Sequence, residues 1–141
     1  MDLRPLTPRY IVSPQIAVDD VPALLEAGIT LVICNRPDSE VPPSHQADAI
    51  GAAVRAVGLR FETLPLTHQT MTPENVARQR DLVESADGPV LAYCASGTRC
   101  SVVWALGQAE TRPADDILAC TSKAGYQLDG LRPTLEQMYK G

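Results

Sequence analysis

The amino-acid sequence predicts a three-layer α/β fold, a central and mainly parallel sheet of about four to five strands with helices on both faces. Two observations carry this. Short apolar runs alternate with segments of helical period along most of the chain. Two of those runs, ITLVICN and PVLAYC, are almost unbroken, as a strand covered on both faces requires.

In chain order, RYIVSPQIA (Arg9 to Ala17) reads as a short strand or hairpin interrupted by Pro14. Asp19 and Asp20 stand where an N-cap and first turn belong, Pro22 fits an early helical position, and VPALLEAG stops at Gly28. ITLVICN is the next strand, and NRPDSEVPPS a Pro-rich loop. HQADAIGAAVRAVG places Ala47, Ile50, Val54 and Val57 at helical spacing and ends at Gly58. LRFETLPL alternates like a strand. Thr72-Pro73-Glu74 then opens the helix ENVARQRDLVESA, with Thr as N-cap, Pro at the first position and an acid in the first turn. Gly88-Pro89 breaks that helix before PVLAYC. TRCSVVWALGQAE, PADDILACTSKAGY and LRPTLEQMYK read as three C-terminal helices.

With 141 residues, 45% hydrophobic and 21% charged, the chain fits one domain spanning 1–141 with a sizeable core. A net charge of -5 gives no support to nucleic acid or an anionic membrane as a partner. No apolar run reaches the roughly 18 residues of a membrane span. The N-terminus lacks the apolar core of a signal peptide, and four cysteines in this length do not make a disulfide scaffold. The expectation is a cytoplasmic protein with reduced thiols. No His/Cys/Asp cluster has metal-ligand spacing, so neither metal nor cofactor is expected.

In parallel sheets of this class ligands bind beyond the carboxyl ends of the strands. Cys34 to Asp38, Thr67 to Thr70 and Cys94 to Arg99 are the polar loops expected there. The last is the most informative. Cys94 ends a strand, the small residues Ala95, Ser96, Gly97 and Thr98 follow, and a helix starts near Arg99. Such a loop turns successive backbone N–H groups toward one point, and the helix N-terminus adds partial positive charge. Gly97 permits backbone that a side chain would penalise, Ser96 or Thr98 offers a hydroxyl, and Arg99 adds a planar fork of donors suited to oxyanions. A thiol placed there should ionise more readily than free cysteine. Cys94 is thus a candidate nucleophile beneath an anion pocket, and the partner implied is a small anionic or phosphorylated substrate.

NRPD (Asn35 to Asp38), TPENV, PVLAYCASGTRCSVVWAL and the DDIL…AGY…LRP run together resemble the β-lactamase-hydrolase-like phosphatase domain, a bacterial branch of the tyrosine and dual-specificity phosphatase-like superfamily. The resemblance covers most of the chain. It implies a cysteine phosphatase-like fold with Cys94 as nucleophile and Arg99 as the anion-binding arginine. Two positions depart from the family pattern: Ala95 stands where an arginine is common, and Cys100 where a serine is common. The missing hydroxyl is one that helps hold the thiolate in related phosphatases, and Ser101 is a candidate substitute.

The chemistry stays open between two reactions. The tyrosine phosphatase signature is C-x5-R, whereas this chain has C-x4-R, a loop length shared with rhodanese-type sulfurtransferases that carry a persulfide. Phosphatases of the superfamily protonate the leaving group from an Asp on an upstream loop, but LTHQTMTP has no acid before Glu74. His68 is the only titratable residue there, and histidine exchanges protons near neutral pH. A non-catalytic anion-binding module is a third reading. Cys100 and Cys34 are both candidates to pair with Cys94 as a resolving thiol. Arg36 and Asp38 are candidates for positioning the second loop or touching substrate, the alternative being an Asp-mediated turn after Pro37.

Overall fold

A computed structural model describes all 141 residues. Five strands form one sheet: β1 (Arg4–Pro5), β2 (Tyr10–Ser13), β3 (Leu31–Cys34), β4 (Arg60–Thr63) and β5 (Val90–Tyr93). Their order is β1-β2-β5-β3-β4, with β1 antiparallel at one edge and every other pairing parallel. Six helices complete the chain: α1 (Val21–Glu26), α2 (Ala47–Ala56), α3 (Pro73–Ser85), α4 (Thr98–Gln108), α5 (Ala114–Lys123) and α6 (Arg132–Met138). This is the three-layer α/β fold expected from the sequence.

Alternation along the strands splits the core in two. Leu31, Ile33, Val90, Ala92 and Cys94 face the layer that holds Val103, Trp104, Ile117 and Leu135 of α4 to α6, and Val76 of α3. Val32, Cys34, Leu91 and Tyr93 face α1 and α2, against Leu24, Ile50 and Val54. β3 and β5 are buried at every position, which is why their sequences show no polar alternation. Gly51 of α2 sits against β4 so closely that a Cβ there would meet the Phe61 ring at 2.7 Å.

Three local expectations change. The first segment is shorter than Arg9 to Ala17, because its strand ends at Ser13, and the extra edge strand β1 precedes it. Asp20 does not cap α1 through its side chain. Its carboxylate turns back to accept from the Ala17 N–H at 2.9 Å, closing a 3-10 turn over Val18–Asp20. The Pro-rich loop contains two further 3-10 turns, Asp38–Glu40 and Pro43–His45. Thr72 does cap α3, its hydroxyl accepting from the Asn75 N–H at 3.2 Å. No helix is long and apolar enough to cross a membrane.

Candidate active site

β5 is the middle strand of the five, parallel to both neighbours, and Cys94 follows its last residue. Its carboxyl end therefore opens onto a rim flanked by the loops after β2 and β3. The loop from Ala95 to Gly97 leads directly into α4. Gly97 takes φ +92°, a left-handed conformation that places the chain for the first helical turn. A Cβ at Gly97 would also collide with the Tyr126 hydroxyl, which donates to the Ser96 carbonyl at 2.8 Å and braces the loop from outside.

Cys94 is 1% exposed, and its thiol is pulled down to about 5. The Cys100 thiol beside it is the largest cause. Burial opposes the shift, and the N–H groups of Cys100, Gly97 and Ser96 reinforce it. The Gly97 N–H points at the Cys94 sulfur at 3.1 Å. Burial and the neighbouring Cys94 push the Cys100 thiol well up, so Cys100 acts as donor and Cys94 as acceptor. The chain thus sets a thiol where the resemblance implies a hydroxyl. Ser101 does not fill that place: its hydroxyl donates to the Gly97 carbonyl at 2.8 Å. The Thr98 N–H turns to the Ser96 hydroxyl at 3.3 Å, and the Ser96 and Thr98 hydroxyls lie 2.9 Å apart.

Glu40, which the sequence reading passed over, controls Arg99. The two meet end-on, Nη2 to Oε1 at 2.7 Å and Nη1 to Oε2 at 2.8 Å, while Nη1 also donates to the Leu66 carbonyl at 2.9 Å. A guanidinium has five N–H donors. Those three bonds leave the Nε–H and the second Nη2–H, which lie along one edge and form the parallel fork that an oxyanion accepts. Arg36 holds Glu40 from the other side, Nε to Oε1 at 3.2 Å, and donates through Nη1 to Gln15 Oε1 at 3.3 Å. Hydrogen bonding to Arg99, then to Arg36, keeps the Glu40 carboxyl below its ordinary value.

The remaining candidates separate. His68 lines the same open cleft as Glu40, Ser96, Thr98 and Arg99. Asp38 accepts from the Ala47 N–H at 2.8 Å and so satisfies an orphan donor at the start of α2. Cys34 lies on the α1/α2 side of the sheet, its thiol directed at the Arg36 carbonyl at 3.4 Å, whereas Cys94 and Cys100 share the other layer. No group of His, Cys, Asp and Glu is arranged to hold a metal ion.

Behind the loop runs a buried polar chain. The Asn35 and Gln79 amides pair reciprocally at 3.0 and 2.9 Å, and Gln79 Nε2 also donates to the Tyr10 hydroxyl at 3.2 Å. Tyr10 in turn donates to the Cys100 carbonyl at 2.8 Å. Asn35 and Gln79 are 0% and 1% exposed, so these bonds are what makes their burial tolerable. The chain ties β2, the loop after β3 and α3 to the first turn of α4.

Comparison with known proteins places the molecule among phosphatase-like domains. The family described as beta-lactamase hydrolase-like protein, phosphatase-like domain, matches residues 2–111. A beta-lactamase hydrolase-like protein of Agrobacterium fabrum is 30% identical over 101 residues, 72% of this chain and 23% of that protein. The aligned part is thus about a quarter of the curated relative's length. The crystal structure of a candidate phosphatase from Neisseria meningitidis superposes with a TM-score of 0.86 at 33% identity, covering 98% of this chain and 99% of that one. PTPMT1 in complex with PI(5)P shares the fold, with a TM-score of 0.73 at 12% identity over 98% of this chain and 97% of that one.

Proposed function

The chain belongs to the phosphatase-like domain family of the beta-lactamase hydrolase-like proteins, and on that footing we propose that it hydrolyses phosphate monoesters through Cys94. The observation that carries this reading is the Cys94 sulfur, held as a thiolate beneath an arginine with one free donor edge. The phosphoryl oxygens would take the Nε and Nη2 edge of Arg99. The thiolate attacks phosphorus, a phosphocysteine forms, and the ester oxygen leaves. His68, which lines the same cleft, would protonate that oxygen, since the Glu40 carboxylate there is paired with Arg99. Water then attacks the phosphocysteine, releasing inorganic phosphate and restoring the thiolate. The PI(5)P in complex with PTPMT1 belongs to the same chemical class, a phosphate monoester.

A persulfide carrier is the second reading, favoured by the C-x4-R loop, whose Gly97 N–H meets the Cys94 sulfur at 3.1 Å. Two assays separate the readings: p-nitrophenyl phosphate turnover, and sulfur transfer from thiosulfate to cyanide, each compared with Cys94→Ser. Phosphate release abolished by Cys94→Ser, without sulfur transfer, is the expected result. Phosphate release that survives the substitution would overturn the phosphatase reading.

A further inference from the structure

A second cavity is separate from the cleft at Cys94. It lies on the far side of the buried polar chain, between α3, α4 and the segment entering β2, with a volume of about 210 Å³. Gly107 lies where α3 and α4 pack together, with no side chain to fill the space between them. Val83, Val103 and Trp104 supply apolar wall, and Tyr10 and Gln79 form the inner wall.

The charge of this cavity runs against that of the whole chain. The protein carries a net charge of -5, yet Arg9, Arg80 and Arg112 face the cavity against one carboxylate, Glu84. Arg9 is occupied, its guanidinium donating to the carbonyls of Val83 at 2.9 Å and Ala86 beyond the end of α3. Arg80 and Arg112 belong to none of the ion pairs of the molecule. Arg112 rests over the Trp104 ring, 5.8 Å from its centroid, an exposed side chain free to swing onto an incoming anion. Two unpaired guanidiniums beside an apolar wall favour a ligand with both kinds of surface.

We propose that this cavity is a second binding site, taking a small organic anion whose carboxylate or phosphate lies between Arg80 and Arg112 and whose apolar body lies against Val83, Val103 and Trp104. Its inner wall is shared with the candidate active site. Tyr10 and Gln79 line the cavity, and Tyr10 holds the Cys100 carbonyl in the first turn of α4. An occupant that shifts this wall is therefore felt at the residue that holds the Cys94 thiolate.

Trp104 is the only tryptophan, so one indole N–H signal in a nitrogen-edited spectrum reports on the cavity directly. The experiment titrates benzoate into the wild-type protein, with benzyl alcohol as the probe lacking the anionic head. Benzoate is expected to move the Trp104 signal saturably, with a Kd of about 1 mM for so small a probe. Arg80→Ala and Arg112→Ala should each weaken it about tenfold, Arg80→Glu should abolish it, and benzyl alcohol should not saturate. Cys94→Ser should leave it intact, which keeps the result independent of the phosphatase reading. Arg80 makes no ion pair, so its variants keep the fold, checked by circular dichroism. An absent or unsaturable shift, equal binding by the arginine variants, or loss of the response in Cys94→Ser would overturn the proposal.

Discussion

The Glu40 carboxylate grips the Arg99 guanidinium end-on, at 2.7 and 2.8 Å, across a sequence separation of 59 residues. Arg99 keeps 11% of its side chain exposed and Glu40 33%, so the pair is half-sheltered and its contribution to stability modest. Its consequence is orientation: with Nη1 and Nη2 taken on one side, only the edge carrying Nε remains to meet an anion.

Glu40→Ala removes that constraint and also removes a negative charge from the anion site. Loss of the charge favours the bound anion in ground and transition state alike, whereas loss of orientation falls on the aligned transition state. The expected outcome is a kcat for p-nitrophenyl phosphate lowered about tenfold, with inhibition by inorganic phosphate no weaker than in the wild type. Because the Glu40 carboxyl lies below its ordinary value, the pair is complete above that ordinary value and is lost as pH falls through the lowered one. An unchanged kcat would rule out the positioning role.

Cys100 should set the ionisation of Cys94. The thiolate absorbance, corrected by subtracting Cys94→Ser, is expected to titrate with a midpoint at about 5. Cys100→Ala removes the leading donor and should raise the midpoint by about one unit, the effect of one hydrogen bond to a charged group. Cys100→Ser restores a donor and should return it. The lowered value fixes the sign of the stability effect: ionised Cys94 supports the fold fully above the ordinary thiol value of 9.0, and this support fades as pH falls through about 5.

The layers and the Cys94 loop were legible in the sequence because they rest on local signals. Unbroken apolar runs marked β3 and β5, Thr72-Pro73 marked the start of α3, and small residues between Cys94 and Arg99 marked the loop. Glu40, Gln79 and Tyr126 were not legible, since each acts on a residue at least thirty positions away. Glu40 read as one more charge in a polar loop, and Gln79 as a polar residue of a surface helix. Only the topology, by bringing the loop after β3 against the start of α4, pairs Glu40 with Arg99. The choice between Cys34 and Cys100 was similarly hidden. Strand alternation turns residue 34 away from residue 94, and that becomes visible only once the register of Cys34 opposite Tyr93 is known.

Gly97→Ala tests the brace on the loop. The new methyl meets the Tyr126 hydroxyl, and φ +92° is unfavourable for any residue with a Cβ. The variant should lose about 1–3 kcal/mol of stability and raise the Cys94 midpoint, because the Gly97 N–H leaves the sulfur. Adding Tyr126→Phe removes the oxygen but leaves the backbone strain and the ring carbon that the new methyl meets at 2.9 Å. The double variant is therefore expected to recover part of the lost thermal stability, and no recovery would show that the hydroxyl contact is not what excludes a side chain.

The same closeness of Cys100 to Cys94 predicts the course of mild oxidation by hydrogen peroxide. The Cys94 thiolate attacks one peroxide oxygen, the O–O bond breaks, and Cys94 becomes a sulfenic acid with release of hydroxide. That step removes the negative charge at Cys94, one of the causes that hold the Cys100 proton in place. Cys100 then loses its proton more easily, attacks the sulfenic sulfur and expels water, forming a disulfide that closes the short segment between them. Cys34 is on the opposite face of the sheet and should take no part. Peptide mapping without reductant is expected to give a Cys94–Cys100 link in the wild type and a sulfinic acid at Cys94 in Cys100→Ser. A wild-type sulfinic acid at Cys94 with no linked peptide would show that the two sulfurs, though adjacent, cannot reach disulfide geometry within the first turn of α4.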